Sequence, residues 1–227
     1  MGLRSGPVTA TTSPTLRLER QCIRDGDRLV CGIDEVGRGA WAGPVTVAAV
    51  IPGSEHLAGV RDSKMLTPVK REQAAAAVSG WAEAFAIGHA SHDECDALGM
   101  TAALRLAAMR ALAALADRGY EPDRVILDGN HDYLRMGSRV TTVVKGDATS
   151  LSVAAASCVA KVTRDALMRD EAENFPAFGF ESNKGYPAPV HRAALSAWGP
   201  TTIHRRSWSF MDDLAWGGIE PAPGRLF

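Results

Sequence analysis

The sequence predicts an α/β fold in which a mixed β-sheet is flanked by helices and followed by a small C-terminal helical extension. Short apolar, β-branched segments alternate with Ala- and Leu-rich segments of helical length. The first two strand-like segments are joined through a glycine-rich stretch, as in a hairpin, so the sheet is not purely parallel. After residue 175 the composition changes to aromatic residues punctuated by proline and glycine.

Each predicted element has a local signal. Residues 28–37 and 43–53 predict the two strands of the hairpin, and residues 67–84 predict a helix that Thr67 caps and Pro68 opens. The remaining elements, in chain order, are a strand at 84–91, a helix at 91–119 that ends at Gly119, strands at 123–130 and 139–147, and helices at 150–173 and 188–199. We predict four segments from this pattern: a disordered segment (1–15), the main domain (16–175), the helical extension (176–215) and a flexible tail (216–227).

Composition excludes several classes of protein. The chain has 227 residues, of which 46% are hydrophobic and 22% are charged, which suits one domain with an appendage. Its four cysteines (Cys22, Cys31, Cys95 and Cys158) form no C-x-x-C pair and predict reduced thiols rather than a zinc site or disulfides. No secretory signal and no membrane-spanning run is found, so we expect a cytoplasmic monomer without membrane association.

Charge is distributed unevenly along the chain. The net charge of −1 argues against a protein that coats nucleic acid, but it does not exclude a nucleic-acid enzyme with a local basic patch. Residues 181–206 contain such a cluster, with Lys184, Arg192, Arg205 and Arg206 against one acid. A solvated surface run is the alternative interpretation of this cluster.

Acidic residues occur where the pattern predicts buried positions. Asp34 and Glu35 interrupt apolar strand sequence, and Asp128 ends a buried strand, where open α/β sheets place ligands. Asp165 falls on the helix face that also carries Cys158, seven residues earlier. Because an unpaired buried carboxylate is costly, acids that converge from separate elements predict a site for hard cations such as Mg²⁺.

Each acid also has a structural explanation. Asp128 precedes a glycine and suits a turn, while Asp165 could pair with Lys161 or Arg164. On a flat strand Glu35 points away from the side that Asp34 faces, so the two reach one metal site only if the strand twists or if metals straddle it. Taken together, the acids favour the metal site.

A glycine-flanked arginine follows the acidic pair. Gly37, Arg38 and Gly39 could expose backbone N–H groups to phosphate or sugar oxygens, although most G-x-G sequences are turns. Neither a phosphate-binding P-loop nor a dinucleotide-binding glycine motif is present, so a nucleotide-binding fold has no support.

Five ordered blocks carry a resemblance to a known family. The blocks are "GIDEVGRG…AGPV", "DSKML", "ILDGN", "KGDATSLSVAAASCVAKVTRD" and "NKGYPAPVHRAAL…GPTTIHRRSW". In this order the chain resembles ribonuclease HII, the type 2 ribonuclease H family, over residues 28–210. The resemblance implies a ribonuclease H-like mixed sheet with 16–175 as catalytic domain and 176–215 as a substrate-binding extension.

The resemblance also implies roles for individual residues. The family's metal-binding and catalytic carboxylates fall on Asp34, Glu35, Asp128 and Asp165. Substrate contacts fall on Gly37, Arg38 and Gly39 for the ribonucleotide backbone and 2′-hydroxyl, on Tyr186 for the sugar at the RNA–DNA junction, and on Lys64, Lys145 and Lys184 for phosphates.

The implied activity is metal-dependent cleavage of RNA within a duplex with DNA. The resemblance implies two Mg²⁺ or Mn²⁺ ions and cleavage of RNA–DNA hybrids, or 5′ to single ribonucleotides in duplex DNA, leaving 3′-hydroxyl and 5′-phosphate ends. Backbone groups of a glycine-rich loop suit recognition of a 2′-hydroxyl without reading a base, and the basic stretch predicts salt-sensitive binding.

Two rival functions and one further partner stay open at this stage. A ribonuclease H-like resolvase or exonuclease would act on DNA alone, and a binding module would keep the fold without catalysis. The chain ends in Leu226 and Phe227 on a Pro/Gly-rich tail, which resembles short motifs that dock on bacterial sliding clamps; an ordinary chain terminus is the alternative.

Overall fold

A five-stranded mixed sheet forms the centre of the computed structural model, which describes residues 13–212. The predictions for the N-terminal segment up to residue 12 and for the tail after residue 212 lie outside this range. The strands are β1 (Val30–Val36), β2 (Val45–Ile51), β3 (Ala84–Ala90), β4 (Arg124–Asp128) and β5 (Val140–Val143), in the spatial order β3-β2-β1-β4-β5. Strands β3, β2 and β1 pair antiparallel, whereas β4 pairs parallel with both β1 and β5. The predicted mixed sheet and its first hairpin are therefore confirmed.

Eight α-helices accompany the strands in the described range. They are α1 (Arg17–Arg24), α2 (Pro68–Trp81), α3 (His92–Leu98), α4 (Met100–Ala116), α5 (Gly146–Thr149), α6 (Leu151–Asn174), α7 (Phe180–Asn183) and α8 (Pro189–Trp198). Short 3-10 helices span Ser63–Met65, Gly137–Arg139, Pro176–Phe178 and Ser209–Met211. None of the helices in the described residues is both long and apolar enough to cross a membrane.

Helices α4 and α6 cover opposite faces of the sheet. Alternate side chains of β1 divide between them: Ile33 packs in the cluster that includes α4, while Val30 packs against Val153 of α6. The absence of a side chain at Gly32 allows the close approach of α6, because a Cβ atom there would lie 2.3 Å from the Ser152 hydroxyl oxygen. This packing holds β1 against α6.

The long helix predicted over residues 91–119 is wrong as a single element. Gly99 separates α3 from α4 and has φ of +76°, a left-handed conformation that other residues rarely adopt. Ser91 and Glu94 form a capping box that starts α3. Helices α1, α5 and α7 were not predicted; α5 and α7 have only four residues each, too few for a periodic signal.

The residues after α6 pack as a separate apolar cluster against the loop between β1 and β2. Phe178, Phe180 and Leu195 are buried together with Ala42 from that loop, and Trp41 stacks on Phe210 with ring centroids 4.3 Å apart. The boundaries predicted at residues 175 and 215 remain predictions. All four cysteines are free thiols, as expected.

Candidate active site

Two carboxylates lie side by side where β1 and β4 end. The strands run parallel, with Ile33 paired to Leu127, so Asp34 and Asp128 each follow that pair by one residue. Parallel pairing directs both side chains to the α6 face, while alternation directs Glu35 to the α4 face. Asp34 and Glu35 therefore lie on opposite faces of the sheet, so the alternatives of a twisted strand and of metals that straddle it both remain.

Asp34 is the most deeply buried of these acids, at 7% exposure. Its Oδ1 accepts a hydrogen bond from the Glu35 backbone N–H at 2.8 Å. Burial, followed by repulsion from Glu35 and Asp128, raises the pKa of the Asp34 carboxyl well above its usual value, against opposing hydrogen bonds from Ser157 and the Glu35 N–H. A nearby cation would reverse this penalty.

Glu35 has partial compensation. Its Oε2 accepts a hydrogen bond from the Tyr133 hydroxyl at 3.3 Å, and Arg38 Nη1 lies 3.9 Å from its Oε1. Burial still raises the pKa of the Glu35 carboxyl, and repulsion from Asp128 adds to that rise, although Arg38 and Tyr133 act in the opposite direction.

A further acid that the sequence analysis missed joins Asp128. Asp147, in the "KGD" of α5, is 7% exposed, and burial together with repulsion from Asp128 and Asp62 raises the pKa of its carboxyl to about 6. Asp128 is fixed nearby, because its Oδ1 accepts the Gly146 N–H at 2.7 Å. The signal that could have found Asp147 was its place in one of the five family blocks, since it lies in no periodic apolar stripe.

Lys64 lies beside the same acids. Partial burial lowers the pKa of its ammonium group, but the carboxylates of Asp62, Asp34 and Asp147 outweigh that effect and raise it. The predicted phosphate contact at Lys64 is therefore next to the carboxylates.

Asp165 occupies a different environment from the other acids. Lys161 Nζ lies 2.6 Å from its Oδ1, and Arg71 Nη1 lies 3.8 Å from its Oδ2. The ion pair with Lys161 that the sequence left open is thus present, whereas Arg164 turns to backbone carbonyls instead. The charges that shift the pKa values of Asp34, Glu35 and Asp147 are mainly those of Asp128, Glu35, Asp62, Arg38 and Lys64, and Asp165 is not among them.

The donor chemistry of the cluster fits a hard divalent cation, but its present geometry is not a closed metal shell. Carboxylate oxygens are the ligands that Mg²⁺ and Mn²⁺ prefer, and the raised pKa values mark negative charge without enough compensation. Across residues 13–212, no three His, Cys, Asp or Glu side chains are arranged so that they could hold one ion. The carboxylates of this cluster would have to rotate toward a shared ion before they could hold it.

The glycine-flanked loop and the predicted tyrosine are in direct contact. Gly37, with φ of +90°, donates its backbone N–H to the Tyr186 hydroxyl oxygen at 3.0 Å. The Tyr186 ring also lies near two cations, 5.7 Å from Lys161 Nζ and 5.4 Å from Arg164 Cζ. Arg38 is largely exposed beside the acids. The structure therefore brings together residues that the sequence separates by 149 positions.

The other two predicted lysines lie at chain turns. Lys145 is exposed, has φ of +57° and precedes α5, close in sequence to Asp147. Lys184 has φ of +54°, and its ammonium group donates to the Glu181 carbonyl oxygen. Burial lowers the pKa of the Lys184 ammonium.

The mixed sheet, the acids at the ends of its central strands and the adjoining glycine loop define a nuclease of the ribonuclease H-like class. The chain belongs to the ribonuclease HII family, whose model matches residues 31–211. It is 53% identical over 209 residues to "Ribonuclease HII" of Streptomyces avermitilis, an alignment that covers 92% of this chain and 86% of the relative. The enzyme class predicted from the sequence, a type 2 ribonuclease H, is confirmed.

Solved structures agree with this assignment. The chain is similar to ribonuclease H2 from Pyrococcus horikoshii OT3, with a TM-score of 0.66, 26% identity, and coverage of 82% of this chain and 96% of the other. It is also similar to the ribonuclease HII in the PCNA:RNase HII complex from Archaeoglobus fulgidus, with a TM-score of 0.65, 26% identity, and coverage of 79% and 95%.

Proposed function

We propose that this enzyme cuts 5′ to a ribonucleotide embedded in duplex DNA, as well as within longer RNA–DNA hybrids, and leaves 3′-hydroxyl and 5′-phosphate ends. Family membership implies cleavage of the RNA strand of RNA–DNA hybrids. The proposal adds the single-ribonucleotide substrate, the position of the cut and the chemical ends.

The contact between Gly37 and Tyr186, next to the acids, is the observation that carries the proposal. It joins the Tyr186 hydroxyl to Gly37, which follows Glu35 by two residues and precedes the exposed Arg38 and Gly39. Backbone N–H groups and a ring face can recognise a ribose without reading a base, since every ribonucleotide presents the same 2′-hydroxyl whatever its base. This arrangement supports selection for a 2′-hydroxyl beside the cutting site.

The family depends on divalent metal, and we infer that Mg²⁺ or Mn²⁺ is held here by Asp34, Glu35 and Asp128. A bound pair of ions would supply an activated water and electrostatic stabilisation of the scissile phosphate. Glu35 would be oriented by the Tyr133 hydroxyl, and Asp128 by the Gly146 N–H. Lys64 would meet a phosphate oxygen at the edge of the cluster, with Lys145 and Lys184 as more distant phosphate contacts.

A two-duplex assay tests the proposed function. One labelled duplex carries a single ribonucleotide, the other is all DNA, and each is incubated with Mn²⁺ or Mg²⁺ beside an Asp34→Asn variant. We expect a cut only in the first duplex, 5′ to the ribonucleotide, and its loss in the variant. Cleavage of both duplexes would favour a DNA nuclease, and binding without cleavage would favour a binding module.

The identity of the fourth carboxylate is part of this proposal. The resemblance assigns it to Asp165, but Asp165 is already paired with Lys161, whereas the equally buried Asp147 is repelled by Asp128, which makes Asp147 the stronger candidate. Matched Asp147→Asn and Asp165→Asn variants separate the two. We expect Asp147→Asn to raise the Mn²⁺ concentration needed for half-maximal activity more than Asp165→Asn does; the reverse order would restore Asp165.

A sliding clamp is the proposed partner of the C-terminal tail. The support is the hydrophobic ending Leu226-Phe227, which lies outside the described residues, together with the complex that the similar Archaeoglobus ribonuclease HII forms with PCNA. Deletion of residues 222–227 should abolish recovery of the enzyme on immobilised clamp while hybrid cleavage stays unchanged. Equal recovery of both forms would remove the clamp from the proposal.

We also propose that the enzyme is cytoplasmic, because its nucleic-acid substrates are intracellular. We propose in addition that it is a monomer, which sedimentation analysis tests.

A further inference from the structure

The loop that joins β1 to β2, residues 37–44, rests on a buried arginine from α6. Arg164 donates from Nε to the Pro44 carbonyl at 2.7 Å and from Nη2 to the Ala42 carbonyl at 2.9 Å. Its Nη1 donates to the Lys184 carbonyl at 2.8 Å, two residues before Tyr186. One guanidinium group therefore fixes the loop and the segment that carries the tyrosine relative to each other.

A second buried arginine holds the same loop from the C-terminal extension. Arg205 donates from Nε and Nη2 to the Gly43 carbonyl at 3.2 and 3.0 Å, and from Nη1 to the Arg38 carbonyl at 3.1 Å. Together Arg164 and Arg205 bond the carbonyls of four of the eight loop residues. Both side chains are fully buried.

The N–H groups at the tip of the loop have no such partners. Ala40 donates to the Gly37 carbonyl at 3.2 Å, which closes a turn with Arg38 and Gly39 at its centre. Within residues 13–212, neither of these two central N–H groups donates to a protein acceptor, and both residues are exposed. The Gly37 N–H is already bonded to Tyr186. The loop carbonyls are thus bonded to buried arginines, while the N–H groups of Arg38 and Gly39 are available to an oxygen atom of a ligand.

The two arginines also bring positive charge to this loop. Across the described residues no carboxylate lies within ion-pair distance of Arg164 or Arg205, so the carbonyl oxygens are their main partners. Burial lowers the pKa of Arg164 to about 10 and also lowers that of Arg205. An anionic strand at the loop surface would be attracted by this charge at short range.

Steric fit explains why the loop begins with glycine. A Cβ atom on Gly37 would lie 2.2 Å from Arg164 Nε and 2.8 Å from the Pro44 carbonyl oxygen. The guanidinium group therefore occupies the space that any other side chain at position 37 would need, and loop and arginine form one packed unit.

We propose that Arg164 and Arg205 are positioning residues for substrate selection: by bonding the carbonyls of residues 38 and 42–44, they present the N–H groups of Arg38 and Gly39 to sugar and phosphate oxygens of the ribonucleotide strand. The inference rests on the proposed function, because it assigns the source of the selectivity that this function requires. It predicts that loss of the carbonyl bonds weakens recognition of the ribonucleotide more than general binding of duplex.

Arg205→Lys and Arg164→Lys test the inference while keeping the positive charge. Lysine is a point donor and cannot reproduce the planar fork of a guanidinium group. Affinities for the single-ribonucleotide duplex and the all-DNA duplex are measured by fluorescence anisotropy in Ca²⁺, after urea unfolding has verified a folded state. We expect the ratio of the two affinities to fall roughly ten-fold, as loss of one charge-assisted hydrogen bond allows, with all-DNA binding changed by about two-fold at most.

Arg118→Lys is the control for the same substitution at an exposed arginine away from the loop. Arg118 also donates to a carbonyl, that of Phe85, at 3.0 Å and lies 5.8 Å from the ring of Tyr120, but it is far along the chain from the loop. Its affinity ratio should equal that of the unmodified enzyme. An unchanged ratio in folded Arg164→Lys and Arg205→Lys would overturn the inference alone. An unmodified enzyme that binds both duplexes equally would overturn the proposed function as well.

Amide resonances of the unmodified enzyme give a test that does not depend on folding of a variant. In ¹⁵N-resolved spectra with Ca²⁺, the single-ribonucleotide duplex should shift the Arg38 and Gly39 amide signals, and the all-DNA duplex should shift them less. Equal shifts from both duplexes, or none from either, would overturn the inference.

Discussion

The acids at the strand ends and the arginines beneath the β1–β2 loop are both buried charges, but their partners differ. Asp34 has one backbone N–H and a serine hydroxyl nearby, and it is repelled by two other carboxylates. Arg164 and Arg205 donate from every nitrogen of their guanidinium groups to carbonyl oxygens. The carboxylates need an added cation to offset their negative charge, whereas the arginines find all their hydrogen-bond partners within the protein. Metal should therefore affect the acids strongly and the loop little.

Removal of the Asp34 charge should give the largest loss of activity without lowering the free energy of unfolding. Asp34→Asn should reduce cleavage by roughly 100-fold or more, because even residues that only orient metal ligands are worth about 10–100-fold. The same variant should be no less stable than the unmodified enzyme in metal-free buffer, since it removes a repelled, buried carboxylate. Cleavage assays and urea unfolding in EDTA measure both quantities. A large loss of stability in EDTA would contradict the comparison.

Removal of an arginine should give the opposite pattern. Arg164→Met leaves the carbonyls of Ala42, Pro44 and Lys184 without their donor inside the protein. We expect a loss of about 3 kcal/mol in the free energy of unfolding, the scale for a buried group deprived of its partner, with or without metal. Urea unfolding in EDTA and in Mn²⁺ checks this. A stability equal to that of the unmodified enzyme would show that the loop does not depend on Arg164.

A buried histidine pair makes the loop side sensitive to acid. Thr201 N–H donates to His204 Nδ1 at 2.9 Å, so the His204 Nε2–H donates to His191 Nε2 at 2.8 Å, and His191 Nδ1–H donates to the Tyr186 carbonyl at 2.9 Å. Both rings are neutral in this chain of bonds. Burial, then repulsion from His191 and Arg206, lowers the pKa of His204 to about 3, and burial lowers that of His191.

The sign of the resulting pH dependence follows from the direction of these shifts. The unfolded chain binds protons at about pH 6.5, and the folded chain does so only near pH 3, so stability from the neutral pair is lost as pH falls through that interval. The free energy of unfolding should decline from about pH 7 to about pH 5, and less steeply in His204→Asn. Parallel curves for the two proteins would contradict the neutral pair.

Removal of the Tyr133 hydroxyl should have the smallest effect. Tyr133→Phe deletes one hydrogen bond to Glu35 Oε2, so activity should fall about three- to ten-fold and stability by about 1 kcal/mol or less. Mn²⁺ titrations of activity should reveal slightly weaker metal binding. A loss as large as that of Asp34→Asn would mean that Tyr133 contacts the reacting groups directly.

The sequence predicted the strands and helices α2, α6 and α8 because their signals are local. Thr67 with Pro68 marks the start of α2, and the β-branched runs mark β1 and β2. The break at Gly99 was missed because the apolar pattern continues across it, and only the left-handed conformation ends α3. Helix α1 is short, and Glu19, which accepts from Ser150 and Ser152, ties it to α6 through contacts that no local pattern predicts.

The sequence predicts those site residues that interrupt an apolar segment. It does not predict those whose role depends on packing between distant parts of the chain. Asp34 and Glu35 stand out because acids interrupt an apolar strand. Asp147 does not, since an acid after Lys-Gly is typical of a turn, and its raised pKa comes from burial in the fold and then from the charges of Asp128 and Asp62. The roles of Arg164 and Arg205 depend on carbonyls 120 and 162 residues away, which a pattern of residue types does not encode.

Thermal unfolding with and without Mn²⁺ tests the central comparison most directly. The unmodified enzyme, Asp34→Asn and Arg205→Lys are each melted in EDTA and in saturating Mn²⁺. We predict that Mn²⁺ raises the melting temperature of the unmodified enzyme and of Arg205→Lys by about 5 °C or more, because an ion that binds only the folded state stabilises it, and that it leaves Asp34→Asn unchanged. An equal rise in Asp34→Asn would contradict the assignment of the acid cluster as the metal site.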